Sequence, residues 1–240
     1  MEDKRFYGRR KGKPIKESRQ KLLEELLPKV KIDCPPMGHI DLKKSFGIKP
    51  KEVWLEIGFG GGEHVAEIAQ KYPQIGILGA EPFINGVASL LAHLNGSHMK
   101  EAKTCDLAPD RSDNVRIWAD DIRILFPHFP DKSFERIFIL YPDPWPKARH
   151  AERRFVNKKN IPELARMLTD TGAIYVATDV HAYADWALEQ MDLSNLFQQV
   201  HPDVSLPPED WIPTRYEKKG LAAGRQPTYL IFRKKQKNAK

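Results

Sequence analysis

From residue 52 onward, short apolar runs alternate with stretches in which apolar residues recur every three to four positions. Runs of the first kind are typical of strands, and the second spacing is typical of helices. The pattern predicts six strands, near residues 53–57, 75–80, 114–118, 135–140, 172–177 and 228–233. It predicts five longer helices, near residues 62–71, 84–95, 121–126, 158–168 and 181–191. This alternation favours an α/β fold, a mostly parallel sheet with helices on both faces.

The chain before residue 51 follows a different pattern. Residues 1–20 are strongly polar and predict little regular structure, whereas Lys21–Leu27 predicts a short amphipathic helix closed by Pro28. We therefore predict a basic N-terminal extension over residues 1–50 and the α/β domain over residues 51–240. Two polar segments of that domain predict a surface insertion and a basic tail, at residues 96–113 and 234–240.

Basic residues cluster in three stretches of a chain whose formal net charge is +7. Residues 1–21 hold nine Lys/Arg against three acids, residues 147–159 hold six against one, and residues 215–240 hold nine against one. The remaining residues carry a net charge of −12. Clustered cations on an acidic body favour a polyanionic partner such as a nucleic acid, because binding releases counterions from the phosphates.

Membrane, secretion and metal signals are weak. The longest apolar run, Ile137–Leu140, is far below the roughly 20 residues of a membrane-spanning helix. Residues 1–21 contain no apolar segment of the kind found in signal peptides, and Cys34 and Cys105 form no metal-binding pair. We therefore expect a cytoplasmic protein with no metal and no membrane partner.

The first strand of the domain runs into a glycine-rich turn, Gly58-Phe-Gly-Gly-Gly62. Glycines such as Gly58 and Gly60 let the backbone approach a ligand closely. A dinucleotide fingerprint would need a glycine at position 63, where the chain has Glu63, and this counts against a nicotinamide dehydrogenase. Glu56, just before the turn, suits a cationic ligand. S-adenosylmethionine carries an amine and a sulfonium, so it fits this turn better than a pyrophosphate does.

Acids also follow the next two predicted strands. Glu81 can accept hydrogen bonds from the two hydroxyls of a ribose, and Asp121 can accept one from the exocyclic amine of adenine. The neighbouring Asp120 is expected to face solvent, although the choice between the two aspartates stays open. The alternative for Glu81 and Asp121 is a role as ordinary helix caps.

The fourth strand ends in Leu140-Tyr-Pro-Asp-Pro-Trp-Pro-Lys147, where three prolines within five residues stiffen the backbone. We expect this loop to place Asp143 at the mouth of the sheet and to present a flat purine beside the aromatic Trp145. The basic run that follows, Lys147 to Arg154, could guide phosphates to such a pocket.

Together these segments resemble the signature of the bacterial tRNA (guanine-N7-)-methyltransferases. The resemblance rests on Glu56–Gly62, Leu140–Lys147 with the basic residues after it, Ala177–Asp179 and Thr214–Gly220. It implies a Rossmann-like class I methyltransferase with a mostly parallel seven-stranded sheet. It also implies transfer of a methyl group from S-adenosylmethionine to N7 of the variable-loop guanosine of tRNA, position 46 in tRNA numbering.

The resemblance further implies the roles of individual residues. Asp143 is the expected catalytic residue. The residues expected to bind S-adenosylmethionine are Glu56, Glu81 and Asp121, together with the turn glycines Gly58 and Gly60. The residues expected to contact the substrate are Lys147, Asp179, Thr214, Arg215, Tyr216 and Glu217. The residues expected to contact RNA are Arg149, His150, Arg153 and Arg154.

Two other functions remain open, and so does the choice between a monomer and a homodimer. An amino-methyltransferase acting on another RNA or protein nitrogen would place two prolines between the acid and the aromatic residue, whereas here only Pro144 separates Asp143 from Trp145. A non-catalytic RNA-binding protein with this fold would not need acids after three successive strands, so Glu56, Glu81 and Asp121 count against it.

Overall fold

The structure is a computed structural model that describes residues 7–96 and 113–236. The chain divides into two compact units, residues 1–130 and residues 131–240. The described residues contain seven strands, which form a mostly parallel sheet with helices. Most of the predicted insertion and the last four residues of the predicted tail lie outside the described residues.

The first unit consists of three parallel strands with helices between and before them. The strands are β1 (Val53–Ile57), β2 (Gly76–Ala80) and β3 (Val115–Trp118), and their order is β3-β2-β1. The helices are α1 (Glu17–Glu25), α2 (Leu27–Val30), α3 (Leu42–Ser45), α4 (Glu63–Lys71) and α5 (Ile84–Leu94). Every residue of β1 and β2 is buried, which explains why these strands are nearly continuous apolar runs.

The segment before residue 51 contributes to the core of the first unit. Leu22, Leu26 and Val30 are buried, and the main chain of Ile32 donates a hydrogen bond to the carbonyl of Ile117 in β3. The predicted helix over Lys21–Leu27 was wrong at both ends, because α1 begins at Glu17 and Pro28 lies in the first turn of α2. Proline is tolerated there, since the first N–H groups of a helix have no partner within it. A domain boundary at residue 50 stays a prediction.

The described part of the second unit contains four strands, three of which run in the same direction. They are β4 (Phe134–Leu140), β5 (Leu168–Thr178), β6 (Phe197–Gln199) and β7 (Thr228–Lys234). Their order is β4-β5-β7-β6, with β4 parallel to β5 and with β7 antiparallel to both of its neighbours. The helices are α6 (Ile161–Met167), α7 (His181–Ser194) and α8 (Arg215–Ala222).

The six predicted strands are confirmed, with ends that differ by up to four residues. The pattern missed β6 and α8, and the helix predicted near 121–126 is instead two 3₁₀ helices, Ile122–Ile124 and Phe126–His128. A further 3₁₀ helix, Ala148–Arg153, lies in the basic run. Within residues 7–96 and 113–236, every helix is too short or too polar to span a membrane.

Candidate functional site

The glycine-rich turn after β1 needs its glycines for different reasons. Gly58, Gly60 and Gly62 have φ values of +73°, +59° and +79°, a region that side chains disfavour. A Cβ on Gly62 would lie 2.5 Å from the Cβ of Leu90, so this glycine allows the turn to pack on α5. Apart from its chain neighbours, a Cβ on Gly58 would meet no atom of the described residues within 4 Å, so this side of the turn is open among them.

Glu81, which follows β2, braces the same turn. Its Oε2 accepts a hydrogen bond from the main-chain N–H of Gly60 at 2.7 Å, and its Oε1 accepts one from Phe83 at 2.9 Å. The residue is only 7% exposed. Glu81 therefore holds the turn in place, and its contact with a ribose stays a prediction.

Glu56 forms a buried pair with His64, a residue that the sequence analysis did not single out. The distance between Glu56 Oε2 and His64 Nδ1 is 2.7 Å, and the two residues are 2% and 4% exposed. Glu56 comes from β1 and His64 from the first turn of α4, so the pair spans the glycine-rich turn. A histidine just after such a turn is the one signal in the sequence that could have suggested it.

The two aspartates after β3 both have cationic partners. The buried Asp121 accepts hydrogen bonds from the main chain and the guanidinium of Arg123 and caps the 3₁₀ helix that follows. Asp120 was expected to face solvent. Its side chain is 34% exposed and is paired with Arg10, at 2.7 Å between Oδ1 and Nη1. The choice between the two as the adenine ligand stays a prediction.

Residues 10–13, which we name the N-terminal strap, are fastened to the start of α5. The main chain of Ile84 donates a hydrogen bond to the carbonyl of Arg10 at 3.1 Å. The side chain of Asn85 accepts a bond from the N–H of Gly12 at 2.9 Å and donates one to the carbonyl of Lys13 at 2.8 Å. The strap therefore lies close to Glu81 and Asp120, the acids that follow β2 and β3.

In the second unit, the proline-rich loop after β4 has a tightly determined backbone. Tyr141 and Trp145 have positive φ values of +50° and +41°. Arg154 holds the loop through hydrogen bonds to the carbonyls of Pro144 and Trp145, at 2.9 and 3.2 Å. Asp143 is exposed, and its carboxylate makes no hydrogen bond or ion pair with the described residues. The loop thus presents an acid that is available to a ligand.

The four residues expected to contact RNA do not share one environment. Arg149 is exposed, and Arg153 stacks on the Trp145 ring at 5.0 Å. The ring of His150 meets that of Trp145 edge-on at 5.8 Å. Loss of hydration, followed by the positive charges of Arg153, Arg149 and Lys147, lowers the pKa of His150 below its ordinary value. Arg154 is different, because it braces the loop and lies over the Trp186 ring at 4.7 Å.

Asp179, at the end of β5, is paired with a residue that the sequence analysis missed. Its Oδ2 accepts a hydrogen bond from Arg225 Nε at 2.7 Å, and its side chain is 15% exposed. A Cβ on Gly220 of α8 would lie 2.7 Å from the same oxygen, so a glycine permits this close approach. Lys147, another expected substrate contact, is exposed.

The segment from Thr214 to Glu217 presents side chains in two directions. The Thr214 hydroxyl accepts a bond from the N–H of Glu217 and caps α8. The carboxylate of Glu217 is buried and accepts bonds from Trp211 Nε1 and from the Tyr229 hydroxyl, both at 2.8 Å. Arg215 and Tyr216 are exposed and stack on each other at 5.0 Å. Only these last two side chains are open to solvent.

Two tyrosines near Glu217 have strongly raised pKa values. Burial, with a smaller contribution from Glu217, raises the pKa of Tyr229 well above its ordinary value. The same two causes raise the pKa of Tyr141. Both phenols therefore stay neutral, and Tyr229 can donate its hydroxyl proton to Glu217. Across the described residues there is no group of three or more His, Cys, Asp or Glu that could hold a metal ion.

Comparisons with known proteins identify the fold and the family of the chain. Residues 50–230 match a family described as "Putative methyltransferase". Among solved structures, an antibiotic-related methyltransferase superposes with a TM-score of 0.51 at 14% identity, covering 88% of this chain and 99% of that one. A variant of the 16S rRNA (adenine(1408)-N(1))-methyltransferase from Catenulisporales acidiphilia, with its cosubstrate SAM, gives 0.54 at 12% identity, covering 87% and 95%. These likenesses show the Rossmann-like methyltransferase fold that the sequence predicted.

Curated relatives with similar sequences identify the family more closely. The chain is 40% identical to the tRNA (guanine-N(7)-)-methyltransferase of Rhodospirillum rubrum over 99% of its length and 91% of the relative. It is 40% identical to that of Paramagnetospirillum magneticum, over 96% and 93%. It is 43% identical to that of Ruegeria pomeroyi, over 95% and 94%. The chain therefore belongs to the tRNA (guanine-N(7)-)-methyltransferase family.

Proposed function

We propose that this protein transfers a methyl group from S-adenosylmethionine to N7 of the variable-loop guanosine of tRNA, position 46, giving 7-methylguanosine. The observation that carries the proposal is the 40% identity, over 99% of the chain, to a relative named for that reaction. Such an enzyme works in the cytoplasm with tRNA as its partner, as a monomer or a homodimer.

The first unit fits the methyl donor, which supplies a methyl group activated by a positively charged sulfur. Glu56 Oε1 accepts no hydrogen bond from the described residues, so it is available to the amine of the donor. Glu81 would accept hydrogen bonds from the ribose hydroxyls, and Asp121 or Asp120 would accept one from the exocyclic amine of adenine. The open side of Gly58 leaves room for the ligand to approach the backbone. Several carboxylates around one cationic ligand favour its binding electrostatically.

The second unit fits the guanine. N7 of guanine carries a lone pair and no proton, so it can attack the methyl group in line and needs no general base beforehand. We therefore assign Asp143 the role of orienting the base and offsetting the positive charge that grows on its ring. Orientation of two reactants can contribute about 7–11 kcal/mol to lowering a barrier. Asp179 would accept a second guanine donor through the oxygen that Arg225 leaves free.

Exposed cations of the second unit support the choice of RNA. Lys147, Arg149, Arg215 and the ring of Tyr216 are exposed, and both an arginine and an aromatic ring can stack on bases or meet phosphates. Arg153 presents its guanidinium over Trp145 in the same loop region. Arg154 and Glu217, in contrast, support the proposal indirectly, because they hold the loop and α8 in place.

The test is transfer of a radiolabelled methyl group to purified tRNA, followed by identification of the modified nucleoside. We expect 7-methylguanosine, and we expect Asp143→Asn to lower kcat on the order of 100-fold while it leaves the melting temperature unchanged. The exposed Asp185→Asn serves as the control. Methylation of an exocyclic nitrogen would instead support the amino-methyltransferase, and donor binding without transfer would support the non-catalytic alternative. Near-normal turnover of Asp143→Asn would exclude its catalytic role.

A further inference from the structure

The buried Glu56–His64 pair has no role in the proposal so far. It joins the end of β1 to the first turn of α4, across the backbone of the glycine-rich turn. Both side chains are at least 96% removed from solvent, and the contact distance of 2.7 Å is that of a strong hydrogen bond. Neither the glycine pattern nor the acids after the strands require a histidine at this position.

The chemistry of the pair fixes the direction of its hydrogen bond. An ionised carboxylate can only accept, so Nδ1 of His64 carries the proton that lies between the two groups. This bond occupies Oε2 of Glu56. Within the described residues the side chain of Glu56 makes no other hydrogen bond, so Oε1 is the acceptor that remains. His64 therefore decides which oxygen of the carboxylate is presented to a ligand, and in which orientation.

A buried carboxylate without a partner would turn towards water. Such a turn would move away the group that we expect to meet the amine of the methyl donor. We infer that His64 is a positioning residue, which holds the carboxylate of Glu56 in the correct orientation for the amino group of S-adenosylmethionine. This inference rests on the proposed use of that donor, and it assigns His64 no contact with the methyl group or with tRNA.

The experiment is isothermal titration of the full-length protein with S-adenosylhomocysteine, which keeps the amine but cannot react. His64→Leu removes the donor, and we expect its Kd to rise about 10- to 100-fold, the effect of losing one hydrogen bond to a charged group. His64→Asn can place an amide N–H near the position of Nδ1, so we expect it to recover most of the affinity. His64→Gln places its amide further out and should recover less. His128→Leu, which removes a histidine bonded to the carbonyl of Gly38, is the matched control.

A second ligand separates positioning from general damage. Methylthioadenosine has the adenosine and the sulfur of the donor but no amine, so its Kd should be the same for His64→Leu and the wild type. In steady-state methylation, the KM for S-adenosylmethionine should rise while the KM for tRNA stays constant. Equal weakening of both ligands, or a folded His64→Leu that binds S-adenosylhomocysteine normally, would overturn the inference. If His64→Leu does not fold, equal affinities of His64→Asn and His64→Gln would overturn it.

The outcomes distinguish this inference from the proposed function. A wild-type protein that binds the donor in a His64-dependent manner but methylates no tRNA would refute the proposed function and support the role of His64. A wild-type protein that methylates guanine N7 with no dependence on His64 would refute only the inference.

Discussion

At the residue scale, Glu217 shows how one carboxylate can lie in a substrate motif and still act inside the protein. Both of its oxygens accept hydrogen bonds from ring donors, at Trp211 and at Tyr229. The amide of a glutamine has one oxygen and one NH₂ group. In Glu217→Gln the NH₂ group would therefore face either the indole N–H of Trp211 or the hydroxyl of Tyr229, where a donor now meets an acceptor. We expect this variant to lose about 1–3 kcal/mol of stability, the cost of a buried group left unpaired.

Thermal and urea denaturation would measure that loss. The exposed Glu209→Gln is the control, because the same chemical change there should stay within about 0.5 kcal/mol of the wild type. An unchanged melting temperature together with weaker tRNA binding would show instead that Glu217 acts mainly as a substrate contact.

Sequence reasoning identified the chemically important residue types at this scale but not their partners. Glu56, Glu81 and Asp143 were singled out because acids follow predicted strands. The partners His64 and Arg225 were missed, and Arg154 was assigned to RNA although it bonds to Pro144 and Trp145. Such pairings depend on how distant segments pack, and a linear pattern contains no record of that.

At the scale of elements, long periodic segments could be predicted and short ones could not. The strands β1 to β5 gave clear apolar runs, whereas the three residues of β6 are too few for any periodicity to show. In α8, Gly220 breaks the helical pattern, although its lack of a side chain admits Asp179. In α2, a proline that was predicted to end a helix lies at the start of one.

The N-terminal strap is an element without regular structure that is held by side-chain bonds. Asn85→Ala would remove two of these bonds, to Gly12 and to Lys13. At about 1 kcal/mol for each of the two bonds, the equilibrium for release of the strap should rise about 30-fold. Limited trypsin digestion should then cut faster after Arg10 and Lys11, with little change in melting temperature.

The control is Gln20→Ala, which removes an exposed bond within α1. Cleavage of Asn85→Ala at the wild-type rate would mean that other contacts hold the strap. Because the strap lies beside the predicted donor site, added S-adenosylmethionine should slow the digestion of the wild type.

At the scale of the whole molecule, charge separates the two ligands. The basic stretches carry nine, six and nine Lys/Arg, whereas the predicted donor site is lined by buried acids. We expect the logarithm of the tRNA affinity to fall linearly with the logarithm of salt concentration, with a slope of about −0.7 to −0.9 per phosphate contacted. The affinity for S-adenosylhomocysteine should change little.

Filter binding of tRNA and titration of S-adenosylhomocysteine, each between low and high salt, would measure the two responses. Replacing Lys147 and Arg149 by glutamine should reduce the slope for tRNA, while the same change at Lys43 and Lys51 of the first unit serves as the control. Equal slopes in all variants would show that Lys147 and Arg149 do not contact phosphates.

The order β4-β5-β7-β6 places β7 between two strands that precede it in the sequence. β7 pairs with β5 on one edge and with β6 on the other, and both pairings are antiparallel. Until residues 228–234 have been synthesised, the edges of β5 and β6 that will contact β7 have no strand to pair with. These residues are synthesised after β5 and β6, so the second unit cannot complete its sheet until they have left the ribosome. Until then β5 presents an open edge on which a neighbouring nascent chain could pair, and quick closure by β7 protects against such misassembly.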